Sequence, residues 1–67
     1  MPPVEIDRKT PIEELPELLR VEEAARWLDV SRGVLYEMIR RNEIASVRIG
    51  GLVRIPRSAL AKLTEAA

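Results

Sequence analysis

Apolar and polar residues change rhythm along this chain, and each change marks an element. From Val21 to Leu28 the apolar residues Val21, Ala24, Ala25 and Leu28 recur at i, i+3, i+4, i+7, leaving Glu22, Glu23 and Arg26 on the other side. That spacing predicts an amphipathic helix, and its two alanines let a second helix cross at short distance. Asp29-Val30-Ser31 follows, where Asp29 can take the left-handed turn conformation and Ser31 can cap the next helix with its hydroxyl. A second helix is predicted from Arg32 to about Asn42, burying Leu35, Met38 and Ile39 with Val34 at the edge of the stripe. So short a connection suits a steeply crossed helix-turn-helix pair better than an antiparallel hairpin.

After Glu43 the period becomes two. Ala45 to Ile49 and Leu52 to Ile55 alternate around Gly50-Gly51, a pair that accepts positive φ in a tight hairpin turn. The expectation is that Val47, Ile49, Val53 and Ile55 face inward and Arg48 and Arg54 outward. Two short strands are marginal alone in water, so this hairpin is expected to lean on the helices. Pro56 is expected to end the pairing and start a last helix, with Leu60 and Leu63 buried and Lys62 near its C-terminal end. Upstream, Met1 to Lys9 carries two prolines and no sustained period, which predicts a flexible segment over residues 1–9 ahead of a single domain over 10–67. Thr10-Pro11-Ile12-Glu13 has the form of a capping box, so a short helical turn is expected there, limited by Pro16. Leu15, Leu18 and Leu19 are expected to cover the open side of the helix pair against Trp27, itself read as a core or lid residue.

Composition narrows the chemistry. A chain of 67 residues buries only a small core, and with no cysteine or histidine it has no disulfide, no thiolate nucleophile, no His/Cys zinc set and no His-based dyad. Its carboxylates fall on predicted solvent faces with no Gly-rich phosphate loop beside them. No catalytic residue, metal site or cofactor is therefore expected, and the chain is not read as an enzyme. Nothing in the sequence resembles a signal peptide, and no apolar run nears the roughly eighteen residues a membrane span requires, so a soluble, cytoplasmic protein is expected. Net charge is zero, yet the charge is polarised. Residues 1–30 hold four basic groups (Arg8, Lys9, Arg20, Arg26) against eight acidic ones, whereas residues 31–67 hold seven (Arg32, Arg40, Arg41, Arg48, Arg54, Arg57, Lys62) against three (Glu37, Glu43, Glu65).

That arginine-rich half contains the candidate site. On the second helix Gly33, Tyr36, Glu37 and Arg40 point away from the predicted core, flanked by Arg32 and Arg41. Guanidinium forks on such a face suit guanine edges and phosphates in a major groove. Taken alone, the same face is more often a solvated surface. Context comes from Leu19, Val21-Glu22-Glu23-Ala24-Ala25, Leu28, Val30-Ser31-Arg32, Tyr36, Ile39, Arg40, Val47-Arg48-Ile49-Gly50 and Arg54-Ile55-Pro56-Arg57. In this order they resemble the excisionase family of small DNA-binding domains, related to the DNA-binding heads of MerR-type regulators, over Leu18 to about Leu63.

The resemblance implies a mainly α fold with a small β-hairpin, a winged helix-turn-helix. Its second helix (Ser31, Arg32, Gly33, Tyr36, Glu37, Arg40, Arg41) would enter the major groove of double-stranded DNA, and its wing (Arg48, Gly50, Gly51, Arg54) would touch the flanking backbone. The implied roles are recombination directionality factor and small transcription regulator. Four positions depart from the family: Arg20 replaces its usual Thr or Ser cap, Gly51 and Leu52 replace a basic wing tip, and Glu37 stands where relatives often carry Arg or Lys. Glu37 either accepts a cytosine amino proton or holds Arg40 or Arg41 in place. The polarised charge suits head-to-tail self-association on DNA, or an integrase-like partner. The chain stops at Ala67 without a dimerising coiled coil or effector domain, so no small-molecule effector is expected. The competing reading is a protein-interaction module, an antitoxin or assembly adaptor, docking through Leu52 and the N-terminal leucines.

Overall fold

A computed structural model describes residues 6–65. A single 3-10 turn (Ile12–Glu14) leads into strand β1 (Leu18–Arg20), helix α1 (Val21–Leu28), helix α2 (Arg32–Arg40), strand β2 (Val47–Ile49), strand β3 (Leu52–Pro56) and helix α3 (Arg57–Glu65). The expected mainly α fold with a hairpin is present, enlarged by one strand. The sheet is antiparallel in the order β1-β3-β2, so the hairpin is stitched to the helices through β1.

Each end of the helix pair has a local cause. Arg20 precedes α1 in extended conformation, and its N–H donates to Glu23 Oε1 at 2.8 Å. Only that half of a capping box forms, because a guanidinium offers no acceptor to return the bond. Asp29 stops α1 at φ 61, where the Val30 N–H reaches back to the Ala25 carbonyl at 2.9 Å. Ser31 opens α2 as expected, its Oγ accepting from the Val34 N–H at 3.1 Å. α2 ends at Arg40, two residues short of the expected Asn42. Asn42 takes φ 59, and the Glu43 N–H bonds the Met38 carbonyl at 2.8 Å.

The core joins Leu19, Val21, Ala24, Ala25, Leu35, Ile55, Ala59 and Leu60 with Ile6, Leu15 and Ile44. The expected stripe residues Leu28, Met38, Ile39 and Leu63 pack around it, half-buried, whereas Val34 is exposed. Of the segment expected to be flexible, residues 1–5 lie outside the described part. From Ile6 onward it docks: Ile6 is buried, and Asp7 to Thr10 form a turn closed by Thr10 N–H to the Asp7 carbonyl at 3.0 Å.

Four expectations need correction. Thr10 does not cap the turn after it. Its hydroxyl accepts the Asp7 N–H at 3.1 Å and its carbonyl accepts Trp27 Nε1–H at 2.8 Å, while Pro11 takes the cap position with no side-chain bond. Leu18 is exposed rather than packed over the helix pair, because strand β1 alternates and sends only Leu19 inward. Pro56 is the last residue of β3, opposite Leu18, and α3 starts one residue later.

The fourth correction is one of parity. A two-residue loop places Ile49 directly opposite Leu52, and opposed residues share a face. Val47 and Ile49 therefore lie with Leu52 and Arg54 on the outer face, and Arg48 shares the face of Val53 and Ile55 while itself staying exposed. Ile49 is 48% exposed while Ile55 is fully buried.

Candidate nucleic-acid interface

α2 presents its outer face as the spacing required. Ser31, Arg32, Gly33, Tyr36, Arg40 and Arg41 are exposed and Glu37 is half-buried. Gly33 lies in the first turn, and a Cβ built on it would meet only Ser31 Oγ, at 3.9 Å. Nothing within the protein needs that position bare, although glycine inside a helix is unfavourable.

Glu37 is engaged with its neighbours. Arg40 donates from Nε to Oε2 at 3.1 Å and from Nη2 to Oε1 at 2.6 Å, while Arg41 Nε stands 4.0 Å from Oε1. The hydrogen bond to Glu37 raises the Arg40 pKa above its ordinary value, against a small opposing effect of desolvation, so the guanidinium keeps its charge at any working pH. In the free protein Glu37 thus pairs with Arg40, the contact that the orienting role requires. With Nε and one Nη2 hydrogen committed, Arg40 keeps its Nη1 end for a bidentate contact outside the protein.

Beyond α2, Gly50 (φ 56) and Gly51 (φ 86) take positive φ at both central positions of the hairpin turn, with open space around each. The wing tip carries no charge, and Leu52 is 56% exposed. Arg48 and Arg54, expected on one face, lie on opposite faces by the register just given. Arg54 turns its Nη1 to the Val53 carbonyl at 3.0 Å and lines a groove with Arg20, Glu22, Arg32 and Tyr36, between the start of α2 and the wing. Arg48 is not brought to that groove.

Two basic residues take other places than their charge suggested. Arg57 is structural: its N–H bonds the Glu17 carbonyl at 2.8 Å and its Nη1 the Leu15 carbonyl at 2.9 Å, tying the 3-10 turn to α3. Arg20 was not among the candidate residues, yet it joins Arg54 and Arg32. Its signal is the parity of the sheet, which cannot be counted until β1 is known to pair with β3. Among the described residues, no group of three or more carboxylates stands close enough to hold a metal ion. No helix among them is long and apolar enough to cross a membrane.

Comparison with known proteins supplies the family. A helix-turn-helix domain model matches residues 18–67, from β1 to the end of the chain. A probable excisionase of Saccharopolyspora erythraea is 54% identical over 43 residues, covering 64% of this chain and 44% of that protein. An excisionase of Streptomyces ambofaciens is 42% identical over 45 residues, covering 67% of this chain and 73% of that protein. The chain thus spans less than half the length of the Saccharopolyspora relative. No solved structure matches it significantly. A Ser31-capped second helix with an arginine-bearing outer face, a glycine-turned wing beside it and these relatives give one conclusion: the chain belongs to the excisionase family of helix-turn-helix DNA-binding proteins.

Proposed function

We propose that this protein binds double-stranded DNA in a sequence-dependent way and acts as a recombination directionality factor. In this reading α2 lies in the major groove and the wing rests on the flanking backbone. The observation that carries it is the Glu37–Arg40 pair. A carboxylate that fixes a guanidinium on the solvent face of a helix gains the fold little, since exposed ion pairs contribute roughly 0–1 kcal/mol. It does pre-set the donor fork that reads a guanine.

Each local feature then has a task. Ser31 ties the first turn of α2, Gly33 lets a phosphate or base edge come close to the helix backbone, and Tyr36 offers a hydroxyl beside Arg32. The protein works by occupying and shaping a site, with no bond made or broken, and in the cytoplasm where the chromosome is. The relatives' names support excision over transcription control.

The test pairs binding with recombination. A gel shift against excess competitor should retain a complex on duplexes spanning the attachment sites of the associated integrase, and adding the protein should raise excision by that integrase. Loss of the complex to competitor, with excision unchanged, contradicts the proposal. Exposed Leu18, Ile49 and Leu52 favour the adaptor reading as the second one, in which a partner protein is retained and DNA is not.

A further inference from the structure

We propose that Arg20, Arg54 and Arg32 together seat one backbone phosphate of the bound duplex in the groove between the first turn of α2 and the wing. This rests on the DNA-binding reading and adds to it a site and a residue. Arg20 and Arg54 are Cα partners across β1 and β3, so their side chains leave the same face of the sheet with Cβ atoms about 4.5–5.5 Å apart. Like charges directly opposite one another disfavour the strand pair. Among the described residues neither guanidinium has a carboxylate within the 4.0 Å of an ion pair, and Arg54 meets only the Val53 carbonyl, at 3.0 Å, which leaves the like charges opposed.

The nearest acidic groups are otherwise engaged. Glu23 accepts the Arg20 backbone N–H at 2.8 Å, and Glu22, also in the groove, stands 3.8 Å from Arg32. Both members of the Glu22–Arg32 pair are more than half exposed, so an arriving phosphate can displace the carboxylate at small cost. The groove therefore holds three guanidinium groups against one carboxylate, with Tyr36 on its helix side and Gly51 and Leu52 on its wing side.

Position adds to the argument. Arg20 sits at the cap of α1, where a side-chain acceptor would serve the helix and arginine supplies none. The wing tip, Gly50-Gly51-Leu52, is uncharged, so attraction for the backbone falls to the base of the wing, where Arg54 and Arg20 stand. Phosphate is the ligand this favours: a compact anion able to accept forks from two or three arginines at once.

The test separates this site from the reading beneath it. Affinity of wild type, Arg20→Gln, Arg20→Lys and Arg40→Ala is measured on selected and random duplexes across a salt series, and each free protein is melted at low salt. Arg20→Gln should weaken both duplexes by the same factor and flatten the slope of log K against log salt, by at most about 0.9 because a single phosphate is involved. Its free form should melt no lower than wild type, because a repulsion has been removed, and Arg20→Lys should keep the wild-type slope. An unchanged slope for Arg20→Gln, with Arg40→Ala still losing the selected duplex, overturns the phosphate site and leaves DNA binding standing. A lower melting temperature for Arg20→Gln also overturns it, since the fold rather than the ligand would then hold that side chain. Failure of the wild type to bind any duplex removes the functional reading itself.

Discussion

Gly33 is the residue where stability and binding part company. It stands in the first turn of α2, where a Cβ would make only an ordinary contact with Ser31 Oγ at 3.9 Å, so alanine there should stabilise the free protein by about 0.5–1 kcal/mol, the ordinary difference between the two in a helix. If DNA comes close to that turn, the added methyl meets it. Gly33→Ala should therefore melt higher and bind more weakly, and calorimetry with titration on one duplex checks both. A rise in both quantities would mean that DNA approaches elsewhere. The two isoleucines of the wing form a second contrast. Ile55 is fully buried and Ile49 is 48% exposed, so Ile55→Ala should cost about 2–5 kcal/mol and Ile49→Ala much less. Equal losses in denaturant melts would contradict the register of the sheet.

Elements were legible where a residue's own side chain sets the local structure, and less so where pairing sets it. The α1 and α2 helices, the Asp29 turn, the Ser31 cap and the Gly50-Gly51 hairpin all follow from periodicity and turn chemistry, and each is present. β1 is not legible in the sequence because three residues cannot show a period, and Leu18-Leu19 reads as readily as part of a helix. For β2, hydrophobicity alone puts Val47 and Ile49 inside, whereas the pairing across a two-residue turn puts them outside. Much the same holds for the candidate site: the outer face of α2 could be read from its spacing, whereas Arg20 reached the groove only through β1. The end of α2 offers a further test. Asn42 holds φ 59, a conformation that costs an L-residue roughly 1–2 kcal/mol and glycine little. Asn42→Gly should be neutral or stabilising and Asn42→Ala destabilising by about 1 kcal/mol in thermal melts, an order that would reverse if the helix continued through Asn42.

At the scale of the whole molecule the core is small and the charge is split, and both bear on how binding works. The longest dimension is 32 Å, close to the 34–36 Å turn of a DNA duplex, so one copy reaches one stretch of major groove. Each phosphate contact steepens the fall of log K with log salt by about 0.9, so a copy that makes only a few contacts has little affinity to spare near physiological salt. Zero net charge adds no long-range attraction. A lone copy should thus bind weakly, and sites repeated at about one helical turn should bind cooperatively, the acidic front half of one copy meeting the arginine-rich half of the next. Nanomolar, non-cooperative binding of one copy to one site near physiological salt would contradict that. The central claim, that α2 reads base edges through Arg40, is tested most directly by selecting duplexes from a random pool and then measuring Arg40→Ala beside the wild type on the selected sequence and on a scrambled one. The account predicts an enriched sequence, a loss of about 1–3 kcal/mol for Arg40→Ala on it with preference relaxed at one base position, and little change on the scrambled duplex. No enrichment, or equal losses on both duplexes, would contradict it.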